Sequence, residues 1–252
     1  MMYYSADIGV IGGSGLYELG KEVKKIEVDT PYGKPSDEVS LLKVGAKTIA
    51  FIPRHGKEHT LNPSEINYRA NIHALKSLGV KAVVSPCCVG SLKFAMKPGD
   101  FVVTDQFINL TSGRKDTFFE KPKVNHLSSA HPYDDKLRVL AIEAAKECGI
   151  PVHDGGTVMV INGPRFSTVA ESRMFALLGA DVVNMTQYPE GYLCLEQEIP
   201  VVNIALITDY DAGLEGHPDI KPVTNDEVIR VLNENAEKVK ALIFKFVEKF
   251  EV

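Results

Sequence analysis

The stretch from Val201 to Asp211, VVNIALITDYD, constrains the fold of this chain most. It runs apolar and β-branched and then turns polar at Thr208, with Asp209 and Asp211 flanking Tyr210. A continuous apolar run bounded by polar residues reads as a strand buried on both faces, the habit of parallel sheets covered by helices. Ligands of such sheets bind in the crevice outside the carboxyl ends of the strands, so Asp209 and Asp211 stand at the candidate rim. A solvated turn is the competing reading, because Asp at a strand end is also common turn chemistry.

The rest of the chain alternates strands with helices. A strand over Ile8 to Ile11 enters Gly12-Gly13-Ser14-Gly15, where bare backbone and the Ser14 hydroxyl could approach an anion. The spacing fits neither a dinucleotide fingerprint nor a P-loop, and a plain turn remains the alternative. Val39 to Val44 and Thr48 to Ile52 read as a hairpin ending in Pro53-Arg54-His55-Gly56, a donor-rich pair suited to an oxyanion. His55 and His59 stand four apart, but Pro53 and Gly56 oppose a helix there and no H-E-x-x-H pattern is present, so a metal site is not expected. Asn62-Pro63-Ser64-Glu65 carries the signature of a helix start, and Gly79 that of its end. Further strands are expected over Lys81 to Ser85, Asp100 to Asp105, Thr157 to Ile161 and Asp181 to Asn184. Helices are expected over Tyr133 to Cys148, Thr168 to Leu178 and from Pro189 onward. Ser112 to Pro132 is a long polar loop holding His126, of a length that is usually functional, subunit-crossing or disordered. Leu214 to Thr224 reads as a mobile loop over the site. The last helix, Asn225 to about Phe250, places Val228, Leu232, Ala236, Val239, Ile243, Phe246 and Phe250 on one stripe, as a covering element.

These elements give an α/β fold, a central sheet flanked by helices in one domain spanning residues 1–252, with parallel strands and intervening helices as the simplest account. Composition supports a substantial core, at 252 residues and 44% hydrophobic content. A net charge of −5 with both signs interspersed leaves no footprint for nucleic acid or an anionic membrane, which points to a small-molecule partner. The opening residues lack a secretory signal and no apolar run reaches the length of a membrane span, so a cytoplasmic location is expected. Cys87, Cys88, Cys148 and Cys194 lack metal or redox spacing and read as reduced thiols; a disulfide is the alternative for a hyperthermophile.

Six segments, IGGSG, PRHG with His59 beyond it, CCVGSL, NGPRFS, NMT and TDYD, occur in one order and spacing over nearly the whole chain. In these the sequence resembles the methylthioadenosine phosphorylases of the trimeric purine nucleoside phosphorylase group. The resemblance implies that group's fold, with a central mixed sheet. It also implies phosphorolysis of the N-glycosidic bond of 5′-methylthioadenosine, to adenine and 5-methylthioribose 1-phosphate, with inorganic phosphate as co-substrate and no other cofactor. By similarity, Ser14, Arg54, His55, Cys87, Cys88 and Thr186 would hold phosphate, and Met185 would lie along the ribose. Phe166 and Ser167 would sit beside the base, and Asp209 and Asp211 at the purine edge, with Tyr210 between them as a further substrate-binding residue. His59 would line the 5′ pocket together with His126 of a neighbouring subunit, in a homotrimer or a dimer of trimers. Asp209, His55 and Arg54 are the catalytic candidates.

The chemistry fits these residue types. Cleavage builds positive charge on the sugar and negative charge on the departing purine, so an anion held by donors on one side and a protonated carboxyl on the other offset both. A carboxyl group complements the 6-amino edge of adenine, whereas Asn would better suit a 6-oxopurine. Three departures from the family bear on this expectation. Cys87 replaces the usual Thr, Gln187-Tyr188 replaces a smaller pair and is expected to alter the ribose or base pocket, and the chain ends near Val252 without an extension that closes the 5′ pocket in some members. A 6-oxopurine phosphorylase, a nucleoside hydrolase and a non-catalytic nucleoside-binding protein are the alternatives.

Overall fold

The apolar run from Val201 forms the longest fully buried strand of the molecule because it has neighbours on both edges and helices on both faces. In the computed structural model, which describes residues 4–251, the elements in order are β1 (Ile8–Gly12), β2 (Glu22–Ile26), β3 (Val39–Val44), β4 (Lys47–Pro53), α1 (Tyr68–Ser77), β5 (Ala82–Ser91), β6 (Phe101–Val103) and β7 (Gln106–Asn109). They continue as α2 (Asp135–Glu147), β8 (Val152–Asp154), β9 (Thr157–Val160), α3 (Val169–Leu177), β10 (Val182–Asn184), α4 (Gln187–Glu196), β11 (Val201–Asp209) and α5 (Asn225–Lys249).

All eleven strands belong to one mixed sheet. Strand β5 is its hub, pairing in parallel with β1 over Ala82–Val84 and with β11 over Val83–Gly90, and antiparallel with β10 at Gly90 and Ser91. Three branches therefore leave it: β1, β4, β3 and β2; β10, β9 and β7; and β11, β6 and β8. On one face α2 and α5 cover the sheet, with Leu137, Ala141, Leu242, Ile243 and Phe246 buried against Ile8, Val84 and Val202. On the other, α1 and α4 bring Ile72, Leu75 and Leu193 onto Ile11, Ile52 and Val83.

The sheet is mixed, as the family resemblance implies, and not built of parallel strands alone. The strand expected over Asp100 to Asp105 is β6 alone, and a further strand, β7, follows it on another branch of the sheet. Strand β2, whose first four residues are exposed, offered no apolar pattern to read. The helix expected from Asn62 begins at Tyr68, capped by Asn67. Asn62 instead closes a turn: its side chain accepts from the Ser64 N–H at 2.9 Å, and the Glu65 carboxylate accepts from the Asn62 N–H at 3.2 Å. Those residue types serve a turn and a helix cap through the same hydrogen bonds, so the sequence pattern does not separate the two. Helix α3 follows its expected bounds, with Thr168 and Glu171 forming a reciprocal capping box. The long loop after β7 is pinned at its start, where Glu196 accepts from the Thr117 hydroxyl and the Phe118 N–H, both at 2.7 Å. Its continuation over residues 121–130 is exposed, His126 included.

Candidate active site

Strands β1, β4, β5, β10 and β11 end around one cavity of about 210 Å³, as crevice binding at strand ends requires. It gathers Ser14, Arg54, His55, His59, Cys87, Cys88, Phe166, Ser167, Met185, Thr186, Asp209 and Asp211. Tyr210 is not among the lining residues. Backbone alternation aims it away from its two acidic neighbours, and its hydroxyl donates to the Phe94 carbonyl at 3.2 Å. This corrects its expected place as a substrate-binding residue. Tyr210→Phe is accordingly expected to leave kcat/KM within about twofold of wild type in a steady-state assay, as surface changes away from a site do.

One end of the cavity is built for an anion. Arg54, at the end of β4, is 1% exposed and meets both carboxylate oxygens of Glu190 at 2.6 Å. Its remaining contacts are the Ile11 and Pro86 carbonyls and the Ser85 hydroxyl, at 3.0 to 3.1 Å. Burial opposes its charge, and the Glu190 carboxylate more than restores it, so the guanidinium pKa is raised. One Nη1 hydrogen is left over, next to Gly13: a Cβ at Gly13 would lie 2.9 Å from that nitrogen and 3.1 Å from the Pro86 carbonyl. The glycine thus keeps the backbone close and the guanidinium uncovered. Thr186 is set beside it by Asn184, whose Oδ1 accepts from the N–H groups of Thr186 and Gln187 at 2.6 and 2.8 Å.

His55 and His59 do not converge on a common point. Their rings stack at 4.5 Å and 15°, His55 Nδ1 is 2.8 Å from the Leu61 carbonyl, and His59 Nδ1 is 2.9 Å from the Tyr17 hydroxyl. Burial, and then the Arg54 charge, push the His55 pKa down to about 4; burial also lowers that of His59. Among the described residues no cluster of three His, Cys, Asp or Glu side chains has the arrangement to hold a metal ion.

The Cys87-Cys88 segment is not a turn but the continuing strand β5. Cys87 is 6% exposed, its sulfur takes a hydrogen bond from Asn203 Nδ2 at 3.2 Å, and burial pushes its pKa up to about 11. The Asn203 bond occupies the sulfur as acceptor only, so the thiol keeps its hydrogen and stays a weak candidate donor in the cavity wall. Gln187 and Tyr188 are held elsewhere. Gln187 Nε2 donates to Ser85 Oγ at 2.7 Å and its Oε1 accepts from Tyr133 at 3.2 Å, while Tyr188 donates to Asp116. Neither side chain lines the cavity, so any change the pair makes to the ribose or base pocket is not by direct contact.

The opposite end is acidic and dry. A bulge between Ile207 and Asp209 in the β11–β5 ladder turns the end of β11 inward. Asp209 is 4% exposed, with its oxygens accepting from the Thr208 hydroxyl and the Asp211 N–H, both at 2.7 Å. Burial outweighs those two bonds and pushes its pKa up to about 7. Gly90 permits this packing, because a Cβ there would fall 2.7 Å from Asp209 Oδ1. Asp211 holds φ +48°, and burial raises its pKa as well. Its Oδ2 and the Ser167 hydroxyl are buried without a well-formed hydrogen-bond partner among the described residues, while the nearby Ser172 and Ser167 hydroxyls partly offset the effect of burial on the carboxyl.

Several site residues escaped the sequence reading. Glu190, Ser85 and Asn203 are polar side chains buried in apolar elements, a signal visible only as single polar letters within hydrophobic runs. Asn225 and Val228 of α5 line the cavity, so that helix is more than a cover. The loop over Leu214 to Thr224 lines a separate cavity with Phe94 and α3, not this one. His126 lies outside the cavity of its own chain.

A family model described as the phosphorylase superfamily matches residues 7–248. S-methyl-5′-thioadenosine phosphorylase of Saccharolobus solfataricus is 50% identical over 247 residues, 97% of this chain and 90% of that one. The enzyme of the same name from Pyrococcus furiosus is 49% identical over 242 residues, covering 96% and 92%. Among solved structures, methylthioadenosine phosphorylase from Schistosoma mansoni in complex with adenine superposes with a TM-score of 0.91 at 36% identity, covering 97% of this chain and 91% of that one. A methylthioadenosine phosphorylase from an Antarctic soil metagenomic library gives 0.90 at 40% identity, covering 97% and 86%.

Proposed function

The chain belongs to the phosphorylase superfamily, and from that membership we propose that it cleaves 5′-methylthioadenosine with inorganic phosphate, giving adenine and 5-methylthioribose 1-phosphate. The observation that carries this reading is Asp209, a buried carboxyl titrating near 7 at one end of a cavity whose other end presents anion donors.

In this reading phosphate lies over Ser14, the free Nη1 hydrogen of Arg54, His55 and Thr186, with Cys88 and the backbone about Gly13 and Cys87 as the surrounding wall. Met185 lies along the sugar, His59 lies toward its 5′ end, and Phe166, Ser167 and Asp211 lie around the base. As the C1′–N9 bond breaks and the C1′–oxygen bond forms, the held anion offsets the cationic sugar. Protonated Asp209 delivers hydrogen to N7 of the purine. The hydrogen that phosphate loses on becoming an ester balances the one the base gains. The unpaired Asp211 oxygen supplies an acceptor for a 6-amino group, in favour of adenine. We read phosphate as a co-substrate, with no further cofactor. The exposed residues 121–130, with Val124 67% and Leu127 37% exposed, support His126 reaching a neighbour's site in a homotrimer or a dimer of trimers. Four free thiols fit a cytoplasmic setting.

Release of purine from methylthioadenosine, methylthioinosine, adenosine and inosine, each with and without phosphate, tests the reading. Phosphate-dependent adenine release with the sugar phosphate as co-product is expected. Release from the oxopurine substrates alone would overturn the base assignment, and phosphate-independent release would overturn phosphorolysis.

A further inference from the structure

The anion end of the cavity has an unusual electrical balance. Arg54 is its one permanent cation, and Glu190 already cancels that charge at 2.6 Å, with both side chains 1% exposed. No lysine lines the cavity. The other basic group able to reach an anion beside Arg54 is His55, and its tautomer is set by its surroundings. The Leu61 carbonyl, 2.8 Å from Nδ1, can only accept, so Nδ1 carries the hydrogen. In the neutral ring Nε2 then offers a lone pair, and it has no protein hydrogen-bond partner among the described residues. The groups packed against His55 keep the ring neutral. Arg54 precedes it, His59 is stacked on its face, and the acidic side chains of the cavity, Asp209 and Asp211, belong to the opposite end.

We propose that His55 is a specificity-determining residue that accepts a hydrogen from the anion, so that the site selects oxyanions bearing a hydroxyl over those without one. This rests on the phosphorolytic reading and adds to it which species the site admits. The hydrogen phosphate dianion meets the requirement: three oxygens take hydrogens from Arg54 Nη1, the Ser14 and Thr186 hydroxyls and nearby backbone, and its one hydroxyl donates to His55 Nε2. Sulfate has the same charge and shape at mildly alkaline pH but no hydrogen. It would set an oxygen lone pair against that of Nε2, the mismatch of a buried polar pair by which sites reject close analogues. Arsenate keeps the hydroxyl, and fluorophosphate replaces it with fluorine.

The test uses the full-length protein with a nucleoside it cleaves. Arsenate is expected to substitute for phosphate. Sulfate and fluorophosphate are expected to compete with phosphate at least ~100-fold more weakly than phosphate binds, a loss of the size that one unpaired buried polar group commands. In His55→Gln, whose amide can donate as well as accept, the sulfate-to-phosphate gap is expected to shrink at least ~10-fold, even if turnover falls. Sulfate or fluorophosphate competing within ~10-fold of phosphate in the wild type would overturn the proposal, whether or not the variant folds. A gap unchanged in a folded His55→Gln variant would overturn it equally. If no purine release depends on phosphate at all, the phosphorolytic reading fails first; phosphate-dependent release with strong sulfate competition defeats this inference alone.

Discussion

Asp209→Asn is expected to lower kcat for 5′-methylthioadenosine by about a hundredfold or more, the usual contribution of a positioned general acid. The side chain keeps its shape, and its NH₂ group can still donate a hydrogen bond to N7, but it has no hydrogen to transfer. The pH dependence separates this role from a structural one. Asp209 is protonated below about 7 and ionised above it, so kcat/KM of the free enzyme should fall about tenfold per pH unit on the alkaline side. In the Asn variant that limb should be absent. A variant that keeps both its turnover and the alkaline limb would show that the hydrogen comes from another group. The same shift acts on folding with a definite sign. Between the ordinary carboxyl value and about 7, the folded chain holds a proton that the unfolded chain has released. Stability therefore falls as pH rises through that window, and levels off above it.

Glu190→Ala should cost the fold about 3–5 kcal/mol, since it strands a buried guanidinium without its counter-charge. For a chain of this size that corresponds to a melting temperature lower by about 10 °C. Arg54 would also lose the two bonds that hold its plane beneath Gly13, and the Ser85 hydroxyl would lose its acceptor. Replacing both partners together, Arg54→Met with Glu190→Leu, should cost less stability than the single change, because no uncompensated charge remains. The double variant should still lose phosphate-dependent turnover. Thermal melts alongside purine release separate the two effects. A single variant as stable as wild type would show that the pair is not the buried, mutually dependent unit described above.

The candidate site was legible wherever it lies at a strand end. Asp209 and Asp211 close an apolar run, Ser14 follows a strand into glycines, and Arg54 and His55 end a hairpin; period and punctuation mark such places without a structure. What could not be read were residues whose role depends on partners far away in the chain. Glu190 is 136 positions from Arg54, and Asn203 is 116 from Cys87. Nothing local marks either pair. Tyr210 and Gln187 failed in the opposite sense, being next to site residues in sequence but drawn away by partners elsewhere, the Phe94 carbonyl and the buried Ser85 hydroxyl.

By itself, the sequence determined that strands and helices alternate, that β11 and the covering face of α5 are buried, and which residue types stand at the strand ends, because hydrophobic periodicity and turn chemistry act over a few residues. The tertiary structure decided the charge state of the site. Whether Asp209 keeps its proton, whether Arg54 is free or already paired, and which nitrogen of His55 carries hydrogen depend on burial and on groups brought together from distant segments. Those energies arise only when water is removed, and folding alone removes it.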